Sequence, residues 1–197
     1  TLGDKIHKVD KHELERAGSV LSPRIIQRET DFSYCYRDDY QTMLKTLIEN
    51  KRRNTQIVND IVKQVSQRPG TALVVSDRVA HCDILTAMLK EYGLRIRKLS
   101  GETAQKQREQ IVSEVNDQKL DVLVSTVQLL GEGFDCPGLS SLFLTTPIKF
   151  KGRLVQVIGR ILRPSDGKQP IVFDYVDKQV EVLLASAKTR SRAFKNM

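Results

Sequence analysis

The chain lacks any uninterrupted apolar run of about 18 residues, the minimum for a membrane-spanning helix. It also lacks an apolar signal core near its start, where TLGDKIHKVDKHELERAG is charged throughout. The expectation is a cytoplasmic protein with no membrane partner. Cysteine is scarce. Cys35, Cys82 and Cys136 are far apart and form no C-x-x-C pair. That excludes a disulfide framework and a zinc site, and leaves three packing residues in a reducing compartment. No G-x-x-x-x-G-K-[ST] stretch and no Gly-rich fingerprint follows a strand, so a self-sufficient nucleotide cradle is missing. No G-x-S-x-G elbow is present either. His7, His12 and His81 do not combine with carboxylates at metal-ligand spacing, and His81 reads as a surface residue at the start of a helix. An autonomous hydrolase, kinase or dehydrogenase is therefore not expected.

What is present is a globular composition. Apolar residues make up 40% of 197, enough for a core and too many for a disordered chain. The net charge of +8 is uneven: from Lys149 onward there are 11 Lys and Arg against 4 Asp and Glu. Such a stripe attracts polyanions, nucleic acid first, although a solvated basic tail has the same composition.

Residues 1–36 are mixed in pattern, with RIIQRETDFSY a weakly alternating strand. They read as a linker or extension, and 37–197 as one domain. Two helices follow, the first with Met43, Leu44, Leu47 and Ile48, the second with Ile57, Val58, Ile61, Val62 and Val65 at helical spacing. Pro69-Gly70 stops the second. Strands and helices then alternate. TALVVS, DVLVST, SLFLTT and QPIVFDY are short runs apolar on both faces, and RIRKLS is a weaker strand. Between them lie a helix with Ala80, Ile84, Leu85, Met88 and Leu89, capped by Ser76 or Asp77, and a polar helix over 103–117. A helix around QVIGRILRP and a closing helix over 178–195 complete the series. This order predicts an α/β fold, a doubly wound, mostly parallel sheet flanked by helices. Ligands of such sheets bind at the carboxyl ends of the strands.

Three stretches carry polar groups at those ends. In VSTVQLLGEGFDCPG, a strand ending in Ser125-Thr126 leads into an acidic loop. Gly131 and Gly133 there allow close approach to a ligand, and Glu132 and Asp135 can accept hydrogen bonds. In QVIGRILRP, Leu154, Val155, Ile158 and Leu162 share one face, while Gln156, Arg160 and Arg163 follow i, i+4, i+7 spacing on another. Fixed arginines can neutralise a transferring phosphoryl group. In KLSGETAQKQRE, Ser100-Gly101 precede a helix N-terminus, which suits a phosphate. Taken singly, each also fits a bland reading: a strand-to-loop turn, a solvated basic face, a capped helix.

In their order and spacing the three resemble the second RecA-like lobe of superfamily 2 helicases and translocases. TALVVSDRVAHCDILTAMLKEYG is similar to motif IV of that lobe, VLVSTVQLLGEGFDCPGLSSLFLTTP to motif V, and QVIGRILRP to the motif VI pattern Q-x-x-G-R-x-x-R. The resemblance covers roughly residues 70–176. It implies that Arg160 and Arg163 are arginine fingers reaching the γ-phosphate of ATP. Gln156 would share that cleft, and Glu132, Gly133 and Asp135 would line the nucleotide edge. Thr126, with Ser100 and Gly101, would contact the nucleic-acid backbone. ATP and Mg²⁺ would be held mainly by an N-terminal RecA-like lobe, a partner whose motifs this sequence does not contain. DEAD-box RNA helicases place His-Arg where Gln156-Val157 stand and Arg-Gly where Glu132-Gly133 stand. The resemblance is therefore closer to the DNA-directed repair and restriction-type branches. The expected function is the C-terminal lobe of an ATP-dependent DNA helicase or translocase. The competing expectation is a nucleic-acid-binding or interaction module with the same fold and no motor.

Overall fold

A computed structural model of the chain describes residues 23–130, 136–148, 158 and 170–195. They form a six-stranded sheet in which every strand pair is parallel, in the order β1-β6-β5-β2-β4-β3. The strands are β1 (Arg24–Glu29), β2 (Thr71–Ser76), β3 (Ile96–Leu99), β4 (Val122–Thr126), β5 (Leu139–Leu144) and β6 (Ile171–Val176). The helices are α1 (Tyr40–Glu49), α2 (Lys51–Gln67), α3 (Val79–Lys90), α4 (Gln105–Asn116) and α5 (Glu181–Lys195). A 3₁₀ turn, Val127–Leu130, follows β4. No helix among the described residues is long and apolar enough to cross a membrane.

The central strands are buried on both faces, as their continuous apolar runs require. The period of two along each strand divides them between two cores. Leu73, Val75, Leu123, Leu142 and Val172 pack on one face with Ile111 and Val115 of α4 and with Ile158. Ala72, Val74, Val122, Val124 and Phe173 pack on the other with Ile57, Val58 and Ile61 of α2 and Cys82, Leu85 and Leu89 of α3. Phe143 and Phe173 stack there at 4.4 Å between ring centroids. A third, smaller cluster joins Phe32, the buried face of α1 and the start of α5.

Local chemistry fixes the helix starts. The Asp39 carboxylate accepts from the Thr42 N–H to cap α1, and the Asn50 side chain accepts from the Arg53 N–H to cap α2. The cap expected for α3 differs. Its N-cap is Arg78, with no side-chain cap; Ser76 Oγ accepts from the Arg78 N–H just before the helix. Gly138 opens β5 where a Cβ would meet the Val115 carbonyl oxygen at 2.3 Å, so only glycine lets β5 approach the end of α4 this closely.

Other expectations also change. The weak strand RIIQRE is the edge strand β1, paired with β6 along its whole length, so the sheet takes in residues 24–29 from the segment read as a linker. Cys82 and Cys136 are packing residues, as expected, whereas Cys35 is exposed. His81 is the main correction: it is fully buried. The helical period turns His81 and Cys82 inward with Leu85 and Leu89, while Ala80 lies outside.

Candidate nucleic-acid and nucleotide face

All six strands run the same way, so their carboxyl ends share one edge of the sheet. In the register of β3 and β4, Leu99 pairs with Ser125. Ser100 and Thr126 therefore leave the sheet at the same level on neighbouring strands. Thr126 is buried, Ser100 half-buried and Gly101 exposed, with open space around the position a Cβ would take. Ser100 is held in a hydroxyl-lined turn. Its N–H donates to Thr103 Oγ1 at 2.9 Å, its own hydroxyl lies 3.2 Å from the same oxygen, and the Thr103 N–H donates back to its carbonyl. The turn leads into α4, whose N-cap, Ala104, supplies no side-chain acceptor. The structure thus brings together the residues read as backbone contacts. Those read as facing the nucleotide, Glu132, Gly133, Asp135, Gln156, Arg160 and Arg163, lie outside the described residues. From QVIGRILRP the structure describes Ile158, helical and buried among Leu142, Leu144 and Val172, in keeping with the apolar face assigned to it.

The same edge carries a buried polar framework whose pairings the sequence does not reveal. Arg53, from the first turn of α2, donates from Nε to Asp177 Oδ1 at 2.7 Å and from Nη1 to the Thr145 carbonyl at 2.8 Å. Thr30 donates to the same carboxylate at 2.6 Å. The guanidinium ties the carboxyl ends of β5 and β6 to α2, and the carboxylate it holds adds β1 through Thr30. Beside it, His81 Nε2 lies 3.0 Å from Asn54 Oδ1 and Nδ1 lies 3.2 Å from Ser76 Oγ. Asn54 donates its side-chain N–H to the Ile48 carbonyl, so its oxygen faces the imidazole and the ring proton sits on Nε2. Nδ1 is then free to accept from Ser76. Both nitrogens are satisfied in the neutral state. Burial, with the nearby Arg53 charge, pulls the imidazole down to about 3 from 6.5. A second buried pair, Arg190 to Asp174 at 2.7 Å, anchors α5 to β6. A sequence signal for it exists: an aspartate inside the apolar run IVFDYV needs a buried cation.

Asp77, just beyond β2, is incompletely satisfied. Its N–H donates to Thr146 Oγ1 at 2.9 Å, but carboxylate Oδ1 is buried without a partner. Burial pushes its carboxyl above the usual range.

Comparison with known proteins places this architecture. Residues 53–165 match the helicase conserved C-terminal domain family. Among curated proteins, the chain is 33% identical over 130 residues to putative helicase 22 of Sulfolobus islandicus filamentous virus, covering 66% of this chain and 22% of that protein. It is 27% identical over 187 residues to UvrABC system protein B of Haemophilus influenzae, covering 91% of this chain and 26% of that one. The chain thus spans about a quarter of the length of these relatives. Among solved structures, T4 UvsW superposes with a TM-score of 0.71 at 18% identity, over 90% of this chain and 40% of that one. The C-terminal domain of the DEAD-box protein Dbp5 gives 0.59 at 13% identity, over 86% of each. At these identities the structural matches establish the fold. By sequence match the chain belongs to the helicase conserved C-terminal domain family, and its all-parallel sheet has the fold of a RecA-like helicase C-terminal lobe.

Proposed function

We propose that this lobe works as one wall of an ATP-driven motor on nucleic acid, with Arg160 and Arg163 as its arginine fingers. The observation that carries the reading is the Q-x-x-G-R-x-x-R pattern at Gln156–Arg163, inside the span matched by the helicase family. Two guanidiniums on one helical stripe suit the charge that develops on a transferring γ-phosphoryl group. ATP and Mg²⁺ would supply the phosphoryl group and its charge neutralisation, held chiefly by a preceding lobe. Gln156, Glu132, Gly133 and Asp135 would bind and orient the nucleotide from this side.

Thr126, Ser100 and Gly101 would meet the track. Hydroxyls and a glycine at a strand edge recognise phosphate and sugar and carry no base code, so contact there is independent of sequence. Gln156-Val157 and Glu132-Gly133, in place of the pairs found in DEAD-box RNA helicases, favour DNA as that track.

The test uses the longer protein with both lobes. Arg160→Ala should lower nucleic-acid-stimulated ATP turnover by about 10³–10⁵ while leaving nucleic-acid affinity largely intact. Unchanged turnover would refute the finger assignment. Stimulation by RNA but not DNA would refute the choice of track.

A further inference from the structure

A groove lies along the β1 margin of the sheet, the margin away from β3 and β4. It runs between the outer face of β1, the start of β6 and the last turns of α2, with a cavity volume of about 320 Å³. Arg24 and Arg28 reach it from β1, Lys63 and Gln64 from α2, and Arg68 from just beyond that helix. Helix α2 runs back along the sheet. Its start sits at the carboxyl edge, where Gln56 donates to the Glu29 carbonyl, and its end sits beside Arg24. β1 and β4 are four places apart in the sheet, so the groove lies about 19 Å across it from Thr126 and further from Ser100.

Its charge is not balanced from within. Asp60 is the acidic residue lining it, and that carboxylate is already engaged. It takes a bidentate pair from Arg28, at 2.9 Å for each bond, and the Tyr175 hydroxyl at 3.1 Å. Arg24, Lys63 and Arg68 have no carboxylate partner among the described residues. The negative end of α2 offsets roughly half a unit of charge, against three cations. Gln64, on the groove wall, is 7% exposed, and its amide nitrogen has no hydrogen-bond partner. That nitrogen is a neutral donor left over beside the cations.

We propose that this groove binds phosphate groups of a nucleic-acid backbone, as a second contact separate from Thr126 and Ser100. It rests on the reading of this lobe as a nucleic-acid motor part and adds to it a place where a flanking stretch of the track is held. The chemistry is an oxyanion facing guanidinium, ammonium and amide donors over an apolar floor. Guanidiniums without a carboxylate partner suit phosphate, because they bind it in a bidentate manner and stay charged at every working pH.

The test titrates the 197-residue chain with a labelled single-stranded DNA oligonucleotide across a salt series. Arg24→Gln with Lys63→Gln removes two cations from the groove, and a thermal melt checks the fold. Affinity should fall roughly tenfold at low salt. The slope of log affinity against log salt should shrink by about 1.4, or 0.7 for each phosphate no longer neutralised. A control with the same charge change outside the groove, Lys45→Gln with Lys90→Gln, should move both readings much less. Equal effects from the two pairs, or no effect from the groove pair, would overturn the proposal. So would the absence of oligonucleotide binding. Two competitors test the ligand's source. Tripolyphosphate or polyglutamate displacing the oligonucleotide from the wild-type chain no better than its ionic strength explains supports the backbone. Displacement beyond that, absent in the groove variant, reassigns the site to a small polyphosphate or an acidic peptide and overturns it. ATP turnover does not enter the measurement, so its outcome is separable from that of Arg160→Ala.

Discussion

The β1–β6 half of the sheet buries two ion pairs beside more exposed ones such as Arg28 with Asp60, whereas the pairs of the β3–β4 half are all open to solvent among the described residues. On the β1–β6 side, Arg53 with Asp177 and Arg190 with Asp174 are buried, with side chains no more than 3% exposed. On the β3–β4 side, Arg95 with Asp121 and Arg97 with Glu114 leave their guanidiniums more than half exposed. Buried pairs fix geometry because removing one partner leaves an uncompensated charge in a low dielectric. Exposed pairs exchange readily with water and with other charges. One side thus forms a rigid frame that joins α2 and α5 to the strand ends. The other leaves the Ser100 turn and its neighbouring ion pairs open to solvent, as the proposed contact with a track requires.

The contrast breaks most sharply at Arg53. Arg53→Met leaves Asp177 buried with Thr30 as its remaining donor. We expect a loss of about 3–5 kcal/mol in chemical unfolding, with a matching fall in melting temperature. Replacing both partners, Arg53→Met with Asp177→Leu, should recover most of that loss, since two apolar groups leave no orphaned charge. A double variant as unstable as the single one would mean that the tie to the Thr145 carbonyl, and not the ion pair, holds the frame.

His81 sharpens the same comparison through pH. Its folded value of about 3 lies below the unfolded 6.5. Between these values the unfolded chain takes up a proton that the folded chain refuses. Stability from the neutral imidazole is complete above about pH 6.5 and is lost as pH falls toward 3, at up to about 1.4 kcal/mol per pH unit. Asp77 and Asp174, whose carboxyls are pushed above their usual range, oppose this as they protonate in the folded state. The effect must therefore be read as a difference. His81→Gln should flatten the fall in stability over this window relative to the wild type, measured by urea unfolding at stepped pH. Identical slopes would show that the histidine is already protonated in the folded chain.

How much of this was legible in the sequence depended on whether the signal was local. TALVVS, DVLVST and IVFDYV announce central parallel strands because both faces are apolar. RIIQRE was barely legible, since an edge strand alternates exposed and half-buried positions and looks like a loop with a few isoleucines. His81 was misread because Asn54, the acceptor for its ring N–H, lies 27 residues away on another helix, and Ser76 meets the ring only once the chain turns from β2 into α3. A histidine in a capping position looks solvated until those partners arrive. Arg53 and Asp177 were silent for the same reason. For the site, the hydroxyls at Ser100 and Thr126 could be picked out from strand ends. That they sit level on adjacent strands follows from β4 lying between β2 and β3, an order no local pattern encodes.

The smallest effect is expected on the exposed side. Arg97 donates to both oxygens of Glu114, at 2.9 and 3.1 Å, and this draws the carboxyl below its usual range. Yet the arginine is 51% exposed, so water and salt screen most of that interaction. Arg97→Ala should cost less than about 1 kcal/mol, and raising salt should shrink that difference further. The same substitution at a buried pair would cost several times more and respond weakly to salt. If Arg97→Ala instead cost as much as Arg53→Met, the division between frame and contact side would fail. The β3 edge would then be part of the rigid frame, and the Ser100 turn would be held by ion pairing and not by its own hydroxyls.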